Sequence, residues 1–226
     1  ETGIAKINIG VLTNDTEVLV TYEGDDKFNE TAKTEMISVP SLVNYTLPVT
    51  SEDITYGEVA QVNVTLPEGA NADNVKFYVD GVETTIAPVV SGNDVQLNIP
   101  DLKAGEHTVA VKYLDDGKYA NNTNSTVFSV RKQNATEIAK EINVTHDIHV
   151  GEVANVTVKL PADANGTITV DVNGTKYVAD VINGVANVSI PKLENGSYPV
   201  TITYSGDGNY EPFTATDTIV VEKVVP

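Results

Sequence analysis

The chain repeats itself at a spacing of 91 residues, and nothing else in it constrains the fold as strongly. Residues 97–130 read LNIPDLKAGEHTVAVKYLDDGKYANNTNSTVFSV, and residues 188–221 read VSIPKLENGSYPVTITYSGDGNYEPFTATDTIVV. Tyr113 and Tyr204 stand 91 residues apart, as do Tyr119 and Tyr210; another 91 residues back lie Tyr22 and Phe28, in VTYEGDDKF. Upstream, Gly57-Glu58-Val59-Ala60 matches Gly151-Glu152-Val153-Ala154 at a spacing of 94, so the copies differ by a small insertion. The expected division is a C-terminal half-unit over 1–40, a full unit over 41–133 and a second full unit over 134–226. Tandem units of this kind contact mainly their neighbours in the chain.

Each unit reads as strands. In the last one, Ala154, Val156, Val158 and Leu160 alternate with Asn155, Thr157 and Lys159, and Ile168, Val170 and Val172 alternate with Thr169 and Asp171. Val188 and Ile190, then Val200, Ile202 and Tyr204, then Ile219 and Val221 continue the pattern. Period-two alternation means one buried face and one wet face. Pro161, Asn165-Gly166, Asn173-Gly174, Asn183-Gly184, Asn195-Gly196 and Gly206-Asp207-Gly208-Asn209 punctuate the runs. Asn-Gly suits the positive φ angles of tight hairpins. A first strand near Ile142 and Val144 and another near Tyr177–Val181 complete about seven strands. No stretch has helical periodicity, and Asn134–Lys140 makes one turn at most. The middle unit keeps the alternation with Ala60, Val62, Val64, Leu66, Val75, Phe77, Val79, Leu97, Ile99, Val109, Val111, Tyr113, Phe128 and Val130. The partial unit keeps Ile7, Ile9, Val18, Val20, Tyr22, Ile37 and Val39, enough for the last three strands of a unit. The expected fold is therefore all-β, a row of immunoglobulin-like β-sandwich repeats of about 90 residues.

Composition narrows what such a row does. The chain has no Cys, so its sandwiches are held by packing without the usual inter-sheet disulfide. Its formal net charge of −18 argues against nucleic acid and anionic membrane surfaces, which both call for basic patches. No apolar run approaches the roughly 18 residues a membrane helix needs, so no membrane insertion is expected in this segment. Glu1-Thr2-Gly3 reads as a cloning remnant, which places the native start upstream.

The stretch Leu193-x-x-Gly196-x-Tyr198-x-Val200-x-Ile202-x-Tyr204-x-Gly206-Asp207-x-x-Tyr210 resembles the C-terminal half of bacterial Ig-like repeats of the group 3 kind. Such repeats are common in adhesin-like surface proteins, notably of methanogenic archaea. The resemblance covers nearly the whole chain and implies a stalk or adhesin on the cell surface, with no catalytic residues to carry over. Tyr198 stands where such folds place a tyrosine corner. His107 and Thr16 replace it in the other copies, where no corner is expected.

Thirteen Asn-x-Ser/Thr sequons occur, at Asn14, Asn29, Asn44, Asn63, Asn121, Asn124, Asn134, Asn143, Asn155, Asn165, Asn173, Asn187 and Asn195. Asn63, Asn143, Asn155 and Asn187 fall on the outward phase of strands, Asn165, Asn173 and Asn195 in turns, and Asn44 and Asn134 in linkers, as N-glycosylation requires. The bland alternative is that an Asn- and Thr-rich β-protein makes sequons by chance on positions that are polar anyway. Three loops of the form Gly-Asp-x-x-Tyr (Gly24–Phe28, Asp115–Tyr119, Gly206–Tyr210) cluster carboxylates. They supply too few oxygens for calcium and read as turns in which Asp bonds its own backbone. No cofactor is expected; calcium at the unit junctions, drawing on Asp53 or Asp147, is the one open alternative. His107, His146 and His149 are the only histidines, and His146 and His149 point to opposite faces of a strand, which disfavours zinc. No nucleophile–base set or acid pair stands out, so no enzyme is expected. Lys76 and Lys159 lie on the outward phase, against a built-in isopeptide crosslink.

The leading expectation is an extracellular, adhesin-like stalk of rigid spacers, joined by short linkers near Pro40–Asp53 and Arg131–Glu141. Its partners are the neighbouring repeats and a surface protein or glycan the sequence does not identify. The half-unit exposes an apolar face. Either the rest of it lies upstream, or another copy completes it by strand exchange, as in a filament subunit. A third alternative is a carbohydrate- or protein-binding module. Against that, the chain has no Trp and offers only Tyr45, Tyr78 and Tyr177 as candidate exposed rings.

Overall fold

The structure is a computed structural model that describes residues 3–134 and 136–224. Glu1 and Thr2 of the terminal tripeptide, and Ala135, Val225 and Pro226, lie outside the described residues. Two β-sandwiches follow one another, preceded by a lone hairpin. The hairpin is β1 (Thr16–Tyr22) and β2 (Thr31–Ile37). The middle unit holds β3 (Val49–Ser51), β4 (Ile54–Thr55), β5 (Ala60–Thr65), β6 (Val75–Val79), β7 (Val82–Glu83), β8 (Val89–Ser91), β9 (Asp94–Ile99), β10 (Gly105–Tyr113) and β11 (Asn122–Arg131). The last unit holds β12 (Glu141–Val144), β13 (Asp147–His149), β14 (Ala154–Lys159), β15 (Thr167–Val172), β16 (Thr175–Asp180), β17 (Val185–Ile190), β18 (Gly196–Tyr204) and β19 (Phe213–Glu222).

The middle unit pairs sheet β3-β5-β9-β8 with sheet β4-β11-β10-β6-β7, and the last unit pairs β12-β14-β17 with β13-β19-β18-β15-β16. This is the immunoglobulin-like arrangement. The first strand of each unit crosses between sheets. Its first part, β3 or β12, runs antiparallel to β5 or β14; its second part, β4 or β13, adds parallel to the last strand. The switch closes an edge that would otherwise be open. Asn173-Gly174 and Asn183-Gly184 take positive φ at both residues (49° and 84°, 50° and 74°), the tight hairpin geometry their chemistry favours. Asp80-Gly81 does the same between β6 and β7. The 3-10 turn Ala72–Asn74 is capped by the Asn71 side chain. The expected turn after Asn134 also forms, with Asn134 Oδ1 accepting from Thr136 N and Glu137 Oε2 accepting from Asn134 N, a reciprocal cap.

Each sandwich has its own core. Ala60, Val62, Val64, Val95, Leu97, Val109 and Val111 line one; Ala154, Val156, Val158, Ile168, Val170, Ile202 and Ile219 line the other. Each such Val, Leu or Ile side chain contributes on the order of 1.5–3 kcal/mol by leaving water.

The lone hairpin departs from expectation. Residues 4–9 were expected to supply a strand, yet only β1 and β2 form among residues 3–39. The reason lies in pairing. The matching strands β9 and β17 are hydrogen-bonded to β5 and β14, which belong to the first half of a unit. With no such neighbour, Ile4, Ile7 and Ile9 stay exposed and unpaired.

The second linker is tied down early. Arg131 is still in β11 and Gln133 already bridges to Tyr210, so Lys132 alone stands between the last strand of one unit and the first backbone bridge to the next. The first linker is looser: β2 ends at Ile37 and the next unit is entered at Val43, which bridges to Tyr119.

Candidate functional site

The three aspartate loops share one construction. Asp25, Asp116 and Asp207 each accept two backbone N–H groups on Oδ1: from Lys27 and Phe28 at 2.7 and 2.8 Å, from Lys118 and Tyr119 at 2.9 and 2.7 Å, and from Asn209 and Tyr210 at 2.8 and 2.9 Å. The side chain thus replaces a turn of backbone hydrogen bonding. Gly206 has φ 70°, and a Cβ there would meet Pro212 N and Tyr210 O at 2.9 Å, so the loop needs that glycine. In the two full units the second oxygen reaches across the sandwich mouth. Asp116 Oδ2 accepts from the Tyr113 hydroxyl at 2.5 Å and from Asn71 N at 3.3 Å; Asp207 Oδ2 accepts from Asn165 N at 2.7 Å. The Tyr113 hydroxyl foremost, with the Tyr119 N–H, holds the Asp116 carboxyl well below the usual carboxylate range. These carboxylates are therefore spent on the fold. Among the described residues, no three His, Cys, Asp or Glu side chains gather as a metal-holding group. Asp53 Oδ1 accepts from Ser129 N at 2.8 Å, and Asp147 lies exposed in β13.

The corner position behaves differently in the two units. The Tyr198 hydroxyl donates to the Glu194 carbonyl at 3.0 Å. His107, where no corner was expected, makes the same bond four residues back, to the Lys103 carbonyl at 2.8 Å, and holds Asp80 at 2.7 Å through its other nitrogen. An imidazole with two ring nitrogens can do at a β-corner what a phenol does, and then reach one partner more. Burial opposes its charge, but the Lys103 carbonyl and Asp80 outweigh that and raise the His107 pKa.

The densest contact between units lies at the joint. Tyr56, in the loop after β4, donates its hydroxyl to Asp163 Oδ2 at 2.6 Å. Tyr210, at the head of the last unit, donates to Asp163 Oδ1 at 2.8 Å. The two rings meet edge to face, with centroids 5.5 Å apart and planes at 84°. Tyr56 packs against both hydrophobic cores. Nearby, Asn209 Oδ1 accepts from Ala104 N at 3.0 Å, and Lys132 Nζ donates to the Asp207 carbonyl at 2.5 Å. The Asp163 bond first, then burial, pushes the Tyr56 phenol up to about 12. Burial, counteracted by bonds from Tyr56 and Tyr210, leaves the Asp163 carboxyl below its ordinary value. Sequence reasoning missed both residues. The signal was their failure to repeat: Tyr56 stands where the next unit has Val150, and Asp163 where the previous unit has Gly69.

The remaining candidates are dispersed. All thirteen sequon asparagines are exposed. Asn155 and Asn187 accept side-chain hydrogen bonds from Ser189 and Thr157 across the β14–β17 sheet, and the Asn124 amide donates to the Leu47 carbonyl. His146 lies by Asp217 at 3.6 Å and His149 by Glu152 at 3.6 Å, two separate pairs. Lys76 and Lys159 are exposed and paired with Glu83 and Glu141, and no polar side chain is buried among the described residues. The aromatic candidates are less available than expected. Tyr45 packs edge-on against Tyr113 and Tyr119, Tyr78 lies under Lys112 Nζ at 4.5 Å, and Tyr177 packs on the core.

Residues 141–222 match the family described as bacterial Ig-like domain (group 3), and the last unit is a domain of that kind. The inverse autotransporter adhesin YeeJ of Escherichia coli (strain K12) is 29% identical over 203 residues, covering 86% of this chain and 8% of the adhesin. The chain thus spans less than a tenth of the length of that relative. Among solved structures, a titin fragment, A168–A169, is 15% identical with a TM-score of 0.39, covering 80% of this chain and 98% of its own. A 1.5-MDa bacterial ice-binding adhesin is 13% identical with a TM-score of 0.35, covering 92% of this chain and 74% of its own. At those scores the strand order of this chain carries the fold assignment by itself.

Proposed function

We propose that the chain is a spacer segment of an adhesin-like surface protein, non-enzymatic and extracellular, in which stacked sandwiches carry a binding region away from the cell. The observation that carries this reading is the joint: one residue, Lys132, separates β11 from the Gln133–Tyr210 bridge of the next unit, and Tyr56 packs against both cores. A linker that short leaves little freedom to bend. The adhesin relative and the group 3 domain support the surface placement. The charge of −18, spread along the units, suits a solvated, self-repelling shaft. Several exposed sequons are read as glycan sites that shield the sheet faces; an intact mass unchanged by glycosidase in native material would refute that part. Small-angle scattering on the whole chain tests the spacer. An elongated monomer roughly two sandwiches long is expected, and a compact particle would overturn it.

A filament subunit completed by strand exchange is the second reading. It is favoured by the β1–β2 hairpin, whose apolar face and both edges stand unpaired. Light scattering across a concentration series separates the two: a monomer throughout removes the second reading, and concentration-dependent assembly that requires residues 16–37 supports it. A carbohydrate-binding module has less behind it, since Tyr45, Tyr78 and Tyr177 are each already packed.

A further inference from the structure

The head of each sandwich presents the same tyrosine, Tyr119 in the middle unit and Tyr210 in the last, and each meets the edge of another tyrosine ring. In the middle unit that ring is Tyr45, from the unit's own entry segment, 5.3 Å away. The entry segment of the last unit, residues 133–144, holds no tyrosine, and the ring comes from Tyr56 of the unit before. Beneath it the two units also differ. Asp163 bridges both phenols in the last unit, whereas Gly69 stands at that position in the middle unit. There Tyr119 donates to the Glu68 carbonyl at 2.9 Å, and Lys118 Nζ closes over the ring at 4.8 Å while donating to the same carbonyl.

We propose that Asp163 is the latch of the second joint: its carboxylate, bonded by Tyr56 from one unit and Tyr210 from the next, sets the angle between the two sandwiches. The middle unit's head, sealed by its own Tyr45 and lacking the carboxylate, is built to turn freely against whatever precedes it. Latched and unlatched joints are thereby written into single residues at unit ends. A tyrosine at the Tyr56 position recognises a unit with aspartate at the Asp163 position and no tyrosine in its entry segment. The geometry suits this role. Tyr210, from the same unit and 47 residues on, holds the Asp163 carboxylate in place, while the bond from Tyr56, 107 residues back, is the one that crosses the joint and does not survive rotation of one unit against the other. The surrounding charges do not compete for Asp163: Lys132 is engaged with the Asp207 carbonyl, and the Asp207 carboxylate with Asn165, Asn209 and Tyr210 backbone. The latch rests on the spacer reading and deepens it.

The chain has no cysteine, so Ser91→Cys and Lys176→Cys place one spin label on each full unit, both at exposed positions. Pulsed electron spin measurements then read the spread of distances between units. In the otherwise native chain a narrow distribution is expected. Tyr56→Phe, which removes one hydroxyl and keeps the ring, should raise the population outside the main distance roughly threefold to tenfold. Asp163→Ala should do at least as much, and Gly69→Asp should do nothing at this joint. Thermal transitions of the two sandwiches that stay in place show that the units remain folded. A narrow distribution unchanged by both Tyr56→Phe and Asp163→Ala overturns the latch and leaves the rigid spacer standing. A broad distribution in the native chain overturns the spacer reading as well.

Discussion

Three hairpins in this chain have the same register and different fates. Thr16 pairs with Ile37 and Tyr22 with Thr31; 91 residues on, His107 pairs with Phe128 and Tyr113 with Asn122; another 91 on, Tyr198 pairs with Ile219 and Tyr204 with Phe213. All three carry the same Asp-capped turn. Yet Tyr113 and Tyr204 are 1% and 0% exposed, while Tyr22 is 41% exposed and Val20 54%. The hairpin and its register are local products of alternation and turn chemistry. Burial, and with it most of the stability, comes from the second sheet, which the first hairpin lacks.

That contrast can be broken by truncating the same repeat position in two places. Ile202→Ala, in the middle of β18, should cost about 2–5 kcal/mol in the unfolding free energy of the last sandwich. Val20→Ala, its counterpart in β1, should stay within about 0.5 kcal/mol. Denaturant titration followed by amide signals of each unit reads both, and equal losses would mean that the first hairpin has a hidden core.

Turns give a second, smaller contrast. Gly184 and Gly174 both hold positive φ, but a Cβ at Gly184 would lie 2.4 Å from the Pro161 carbonyl oxygen and 2.6 Å from that of Leu160, whereas nothing lies within 4 Å of one at Gly174. Gly174→Ala is expected to cost the conformational penalty alone, about 1–2 kcal/mol. Gly184→Ala should cost more, because the backbone of the facing loop must move. A reversed order would show that the β14–β15 loop is soft.

Two tyrosines of the middle unit, Tyr45 and Tyr113, should respond with opposite sign. The Tyr45 hydroxyl is buried without a hydrogen-bond partner, and burial foremost, with the Asp116 charge, lifts its pKa to about 12. Tyr45→Phe removes an unmet polar group and should stabilise the unit by about 1 kcal/mol. Tyr113 bonds Asp116 and Asn71, so Tyr113→Phe should destabilise it by about 1–2 kcal/mol. Thermal scans of the two variants would show whether the signs differ.

The corner residues give the smallest effect, and it depends on pH. The His107 pKa is raised in the folded state, so its contribution is fully present below the unfolded value of about 6.5 and is lost as pH rises through the folded value. Asp80 is held below its ordinary range, so it stays ionised throughout that window. The middle unit should therefore lose stability as pH rises from about 6.5 through the folded value. The last unit, whose corner is a neutral phenol, should not. His107→Tyr should flatten the curve; a slope that persists would assign the titration to another group.

Much of this was legible in advance. Alternation placed the strands, the dipeptides Asn173-Gly174 and Asn183-Gly184 placed two hairpins, and Asp207 was read as a turn residue because its chemistry acts within three positions along the chain. Phase put Asn63, Asn143, Asn155 and Asn187 on the wet face, where the structure has them. What escaped reading depended on residues far apart. The corner at His107 hid because two different side chains make one bond. The missing strand at 4–9 depended on partners from another half-unit. The joint escaped because Tyr56 and Asp163 break the repeat, and repetition was the guide.

The sequence by itself determined the unit, its strands, its turns and their register, since those follow from backbone chemistry and polarity over a few residues. Only the tertiary structure decided which first-strand segment joined which sheet, which hairpin was buried, and how one sandwich meets the next. Tyr56 and Asp163 are 107 residues apart. No local preference brings them together; the packing of two finished cores does.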